Sequence, residues 1–273
     1  MINVSCVQTR PYLGQVDKNL ENILAYIKQV MEARPDTDLI VFPELATTGY
    51  EGTKEEFEEM AEVVPEGRCM KAISELCREY KVNVVYGFAE RDPSMSDVLY
   101  NSALFIDNKG KVLGQYRKVH PFDTEKMWCR AGCDFPVFET DFGKVGVQIC
   151  WDTAFPEVSR IYALKGVDLL VVSTNWEKPY EEDWDLITKA RAFDNTLHLV
   201  AANRIGDDRT LGWFGRSKII DPLGRVIEAL DEEVEGVIHA TLDLGITRKK
   251  RMEYYTFFKD RRPDTYGELV KRY

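Results

Sequence analysis

A strand–helix–strand–helix–strand order closed by a hairpin occurs twice along this chain, and that repetition limits the available folds more than any other feature. In the first half Ile2–Gln8 reads as an apolar, β-branched strand. Val16 to Met31 then places Leu20, Ile23, Leu24 and Ile27 at helical spacing. Asp38-Leu39-Ile40-Val41-Phe42 is a short apolar run of the kind needed in a sheet covered on both faces. The pattern predicts a helix over Met70 to Tyr80 and a strand over Val82–Phe88. Ser102–Ile106 and Val112–Tyr116 follow, joined by the turn Asp107-Asn108-Lys109-Gly110. The second half repeats the order: strand Val145–Ile149, helix Glu157–Lys165, strand Asp168-Leu169-Leu170-Val171-Val172, helix Trp184–Asn195 and strand Leu197–Ala202. Lys218–Ile220 and Val226–Leu230 form its hairpin across Asp221-Pro222-Leu223-Gly224, and Val237–Leu242 adds a last strand.

Each half leaves one sheet face bare. Packing the two bare faces together, with helices outside, gives an α/β fold in the form of a four-layer α-β-β-α sandwich built from two similar halves. Neither half buries its sheet alone, so residues 1–273 are expected to form a single domain. Beyond Leu244 the chain turns basic and aromatic, with Tyr254, Tyr255, Phe257, Phe258, Tyr266 and Tyr273. So many rings suggest that residues 245–273 are a tail docking on a partner subunit in a homodimer or larger homo-oligomer.

The formal charge of −10 excludes nucleic acid as a natural partner, because phosphate binding needs a positive face, and it repels anionic lipid. The basic run Arg248-Lys249-Lys250-Arg251 reads as a solvated helix face. The N-terminus has no basic stretch ahead of a long apolar core and no run is long enough to span a membrane, so a cytoplasmic protein is expected. Six cysteines without an export signal read as reduced thiols. Cys129 and Cys133 lack the second pair or histidines of a metal site, and there is no glycine-rich phosphate loop, so neither metal nor cofactor is expected.

Three reactive side chains fall at the carboxyl ends of apolar strands, where open α/β sheets bind ligands. Glu44 follows Leu39–Phe42 after Pro43, Lys118 ends Leu113–Arg117, and Cys150 follows Val145–Ile149. Singly, each has an ordinary structural reading as cap, surface charge or inert thiol. Together, in Phe42-Pro43-Glu44, Tyr116-Arg117-Lys118-Val119-His120 and Gly146-Val147-Gln148-Ile149-Cys150, they resemble the nitrilase superfamily of carbon–nitrogen hydrolases along essentially the whole chain. Tyr100-Asn101-Ser102-Ala103, Phe155-Pro156-Glu157, Ala190-Arg191-Ala192 and Asn203-Arg204 add to the likeness. The resemblance implies the same duplicated sandwich. It also implies Cys150 as nucleophile, Glu44 as general base and Lys118 as stabiliser of the oxyanion. Glu125, seven residues after Lys118, matches a second glutamate that orients the lysine and the substrate; its structural reading is a cap on a short turn.

A small amide is the substrate this resemblance implies. Asp152 stands where nitrilases carry a glutamate, which favours amides and carbamoyl amides over nitriles. Thr153 and Ala154 replace the paired arginines that grip a carboxylate in hydrolases of N-carbamoyl-D-amino acids. Trp151, Trp176, Tyr180 and Tyr50 are expected to bind substrate, with Trp176, Tyr180 and Trp184 walling the pocket, and some of Glu177, Glu181 and Glu182 to favour an amine-bearing or neutral substrate over an anionic one. The rival readings are a nitrile hydrolase, a Cys150–His120 thiol hydrolase, and a binding scaffold with a vestigial site. Asp152 is expected to fix the turn after Cys150, and His198 and His239 to be sheet residues.

Overall fold

The computed structural model describes residues 1–253 and 256–272. In the first half β1 (Ile2–Gln8), α1 (Val16–Ala33), β2 (Leu39–Val41), α2 (Lys54–Met60), α3 (Arg68–Tyr80) and β3 (Asn83–Arg91) lead into the hairpin β4 (Leu99–Ile106) and β5 (Val112–Arg117). The second half runs β6 (Val137–Thr140), β7 (Gly143–Ile149), α4 (Pro156–Leu164), β8 (Leu169–Thr174), α5 (Glu181–Asn195) and β9 (His198–Asn203). A small ribbon, β10 (Ile205–Asp207) with β11 (Gly212–Phe214), precedes β12 (Ser217–Ile220), β13 (Val226–Leu230), β14 (Gly236–Leu242) and helix α6 (Gly245–Glu253). The strands form two six-stranded sheets, ordered β14-β1-β2-β3-β4-β5 and β13-β12-β9-β8-β7-β6.

The period of two along each strand divides the core. Cys6, Val41 and Val85 point between the sheets and join Val147, Val171 and Val200 in one apolar cluster. Their neighbours Val7, Ile40, Val84 and Tyr86 point outward, onto Ile23, Ile27 and Val30 of α1 and Ile73 and Cys77 of α3. Those α1 residues recur every three or four positions and so lie on one face. The second sheet is covered likewise by Val158 and Tyr162 of α4 and Trp184 and Ala192 of α5. Hydrogen bonds cross between the sheets: Ser173 Oγ donates to the Phe42 carbonyl at 2.9 Å, Cys6 Sγ to that of Ala201 at 3.3 Å, and the Ser217 N–H to Gln8 Oε1 at 3.0 Å. The four-layer sandwich is therefore the fold adopted.

The repeat is not symmetric at its edges. β14 leaves the second half and pairs antiparallel with β1, from Ile2 opposite Leu242 to Gln8 opposite Gly236. Its place beside β7 is taken by β6, which the sequence reading did not mark. The chain end thus closes onto the first strand and ties the halves together. The short helix α2 also escaped notice, although Thr53 and Glu56 form a reciprocal cap at its start.

The tail folds back on its own chain. Phe257 stacks edge-on against Phe193 of α5, and Phe258 lies under the guanidinium groups of Arg160 and Arg251, at 4.9 and 4.6 Å from its ring centre. Tyr266 is partly exposed. Tyr254, Tyr255 and Tyr273 lie outside the described residues. Among the described residues no helix is long and apolar enough to cross a membrane, and no cluster of His, Cys, Asp and Glu is arranged to hold a metal ion.

Candidate active site

The strand ends converge because the two sheets pack face to face with their parallel strands delivering chain to the same region. At the end of β2, Phe42-Pro43-Glu44 runs into Leu45, whose φ of 46° turns the backbone sharply. Gly87 of β3 passes directly under this turn. A Cβ on Gly87 would stand 2.5 Å from Glu44 Cα and 2.4 Å from Leu45 N, so no larger residue fits without moving the backbone that carries the carboxylate. Cys150 occupies the matching place after β7, also left-handed with φ 44°, and opens a 3₁₀ turn over Cys150–Ala154. A non-glycine residue in this region is strained and is held there only by its surroundings.

Much of that holding falls to Asp152. It is fully buried. One carboxylate oxygen accepts from the N–H of Ile149 at 3.1 Å and from Tyr116 Oη at 2.7 Å. The other accepts from the N–H of His120 at 3.0 Å and meets its Nδ1 at 2.8 Å. The turn after Cys150 is thereby fastened to the segment that carries Lys118. His120 is engaged with Asp152 and stacks on Phe155 at 3.9 Å between ring centres. This geometry ties the imidazole to a carboxylate and to a ring, not to the thiol as the Cys–His reading requires.

Lys118, Glu44 and Glu125 form one buried charge cluster. Lys118 Nζ donates to Glu44 Oε1 at 2.7 Å and to Glu125 Oε1 at 2.6 Å, and all three side chains are sealed from solvent. Glu44 also accepts from Asn101 Nδ2 at 2.7 Å and from the backbone N–H of Asn175 at 2.8 Å. Glu125 sits in the 3₁₀ turn Asp123–Met127, and its second oxygen accepts from the N–H of Phe122 at 3.1 Å. Glu125 thus caps the turn, as one sequence reading had it, and also meets the lysine. Two carboxylates share one ammonium, and the electrostatics follow. Burial pushes Glu44 up to about 7, Lys118 pulling it back and Glu125 adding to the rise. Burial works against the charge on Lys118, yet Glu125, Glu44 and Cys150 hold it well above its ordinary value. Burial first, then Glu44, raises the Cys150 thiol well above its ordinary value, with Lys118 opposing. The resting site thus holds a protonated thiol beside a carboxylate whose own proton affinity is close to neutral.

Above Cys150 opens a cavity of about 210 Å³. Phe122, Trp151, Trp176 and Tyr180 wall it, and among the described residues Glu177 and Asp183 bring the charges on its lining. Of the side chains expected to wall the pocket, Trp176 and Tyr180 lie on this lining and Trp184 does not; Trp151, expected among the substrate-binding residues, is on it too. Tyr50 is elsewhere: it is buried near the charge cluster, and its phenol is raised well above the ordinary value by burial and by Glu125, Glu44 and Cys150. Trp184 also stands back, buried behind Trp176 with its indole N–H on the carbonyl of Arg216. Of the loop acids only Glu177 lines the cavity; Glu181 and Glu182 start α5, and Asp183 takes the position they were expected to fill. Asn175 and Phe122 were missed, and the Glu44 contact of Asn101 was not foreseen. Asn175 contributes through its backbone, for which a sequence carries no signal.

A duplicated α/β sandwich with a Glu–Lys–Cys constellation at the strand ends defines a hydrolase of carbon–nitrogen bonds. The family model for carbon-nitrogen hydrolases matches residues 3–252, and the chain belongs to that family. It is 55% identical over 268 residues to the probable nitrilase C965.09 of Schizosaccharomyces pombe, covering 98% of each chain. It is 38% identical to a nitrilase of Pyrococcus abyssi (97% and 99% covered) and 32% identical to a citrullinase of Francisella tularensis (100% and 99%). Among solved structures, a carbon-nitrogen hydrolase from Helicobacter pylori superposes with a TM-score of 0.92 at 28% identity, covering 100% and 99% of the two chains.

Proposed function

We propose that this protein hydrolyses the C–N bond of a small primary amide or carbamoyl amide through a thioester on Cys150. The observation that carries the reading is the sealed Glu44–Lys118–Glu125 cluster beside a cavity that has Cys150 in its lining. As Cys150 Sγ attacks the carbonyl carbon, its proton passes to Glu44, whose affinity near neutrality suits it to both accept and return one. The oxyanion of the tetrahedral intermediate is met by Lys118 Nζ and the backbone N–H of Trp151, donors of a kind worth roughly 3–4 kcal/mol each. Glu44 returns the proton to the departing nitrogen, the C–N bond breaks and ammonia leaves. Glu44 then takes a proton from water, whose oxygen attacks the thioester carbon. The C–S bond breaks, the thiol recovers its proton and a carboxylic acid departs. A carbamoyl substrate gives a carbamic acid at that stage, which falls to amine and CO₂. Glu125 holds Lys118 between the two carboxylates so that the ammonium cannot follow the proton.

Asp152 in place of glutamate supports amides over nitriles, and the citrullinase name belongs to a relative that acts on a carbamoyl compound. The name nitrilase on two relatives keeps nitrile hydrolysis as the alternative. A panel of small primary amides, ureas and nitriles, with ammonia release as readout, separates the two. The expected result is turnover of amides or ureas with kcat/KM at least about tenfold above that of the matching nitriles, a difference of about 1.4 kcal/mol in activation free energy. Nitriles turned over faster than amides of the same chain would reverse the assignment.

A further inference from the structure

We propose that the cavity beside Cys150 selects a substrate bearing a cationic amino group, held by Glu177 and Asp183 within the aromatic wall. This deepens the amide-hydrolase reading and rests on it for the position of the reacting carbonyl. Glu177 is half-buried on the segment after β8, and Asp183 is exposed in the first turn of α5. Among the described residues neither forms an ion pair, and no lysine or arginine lines the cavity. Lys178, the cation next in sequence, points to Glu233 at 2.7 Å instead. Below, Lys118 is already shared between Glu44 and Glu125. The site as a whole sets four carboxyl groups against one ammonium.

A substrate carboxylate placed here would meet like charge and no cation on the lining, whereas an ammonium meets the carboxylates of Glu177 and Asp183 and the rings of tryptophan and tyrosine. Trp151 and Trp176 stand 5.9 Å apart between ring centres, on the same lining as Cys150, Glu177 and Asp183. Burial raises Glu177, so its ionised form lacks full compensation, and an ammonium alongside supplies it. A volume of about 210 Å³ holds the equivalent of roughly seven waters at liquid density, which limits the occupant to a short chain between carbonyl and amine.

Three compounds of equal chain length test this: 5-aminopentanamide, pentanamide and the monoamide of glutaric acid, each also as its urea counterpart. In the native protein kcat/KM is expected to rank ammonium over neutral by about tenfold or more, and neutral over carboxylate. In the Glu177→Gln, Asp183→Asn double variant the ammonium-to-neutral ratio should fall close to one. Equal or reversed ranking in the native protein overturns the proposal, as does a preference that survives in the double variant. A second readout needs no hydrolysis. Alkylation of Cys150 by iodoacetamide and by an N-(aminoalkyl)iodoacetamide, each forming the Sγ–C bond with loss of iodide, is compared after scaling to glutathione. Faster labelling by the cationic reagent, lost in the double variant, upholds the charge preference even if no amide is hydrolysed, in which case the hydrolase reading alone fails. Equal labelling together with no hydrolysis overturns both.

Discussion

The Cys150→Ala protein is expected to fold normally and to lose about 10⁶-fold in amide turnover, leaving only what binding and polarisation contribute without a nucleophile. Folding survives for a steric reason. Cys150 is buried and small, and the turn it opens is held by Asp152 through the N–H of Ile149, not through the thiol. Alanine leaves those bonds intact and removes one sulfur. Activity is lost because, among the described residues, no second nucleophile takes the place of the thiol: Cys129 and Cys133 are not on the cavity lining, and His120 is committed to Asp152. Ammonia release at a few per cent of the native rate or more, with an unchanged melting temperature, would show that water attacks directly and that the thioester is not on the path.

Lys118→Met is expected to damage both activity and stability. Methionine replaces most of the side chain, one atom short of the ammonium, and leaves Glu44 and Glu125 without a cation between them in a sealed site. Breaking a buried charge pair by removing one partner costs about 3–5 kcal/mol, and loss of one oxyanion donor costs about 10²–10³ in kcat. The pH dependence gives the signature. Glu44 is already raised from 4.5 to about 7 with Lys118 lowering it, so removing the lysine raises it further. A carboxyl group whose folded value lies above its unfolded value contributes stability that is fully present below the unfolded value, near 4.5, and is lost as pH rises through the folded one. The variant's deficit in melting temperature should therefore be smallest near pH 5 and grow through pH 7 to 8. A deficit that does not change with pH would mean that the lysine acts as packing and that the carboxylates do not repel.

Much of this was legible in the sequence because it lies in strand ends and short spacings. The run Leu39–Phe42 and its echo Leu169–Val172 gave the two sheets, and Glu44, Lys118 and Cys150 each follow an apolar run directly. What was not legible depends on how separate segments meet. Val237–Leu242 has the pattern of a strand, but nothing in it says that it pairs with β1 and not with its own half. Tyr50 is an aromatic near the Glu44 segment, and only the packing decides that it is buried near Glu125 and does not line the cavity. Asp183 and Glu182 differ by one helical step. Which of them faces the cavity is set by where α5 begins, a boundary that composition does not fix.

The claim at the centre is a covalent bond between Cys150 and the acyl group of the substrate. Native protein mixed with an amide that it turns over, quenched in acid within the first turnovers and digested, should yield the Cys150 peptide heavier by the acyl group. The peptides carrying Cys129 and Cys133 should be unchanged, and the Cys150→Ala protein should yield no adduct. An acyl group found on another residue, or hydrolysis that proceeds at the native rate in the Cys150→Ala protein, would contradict the account.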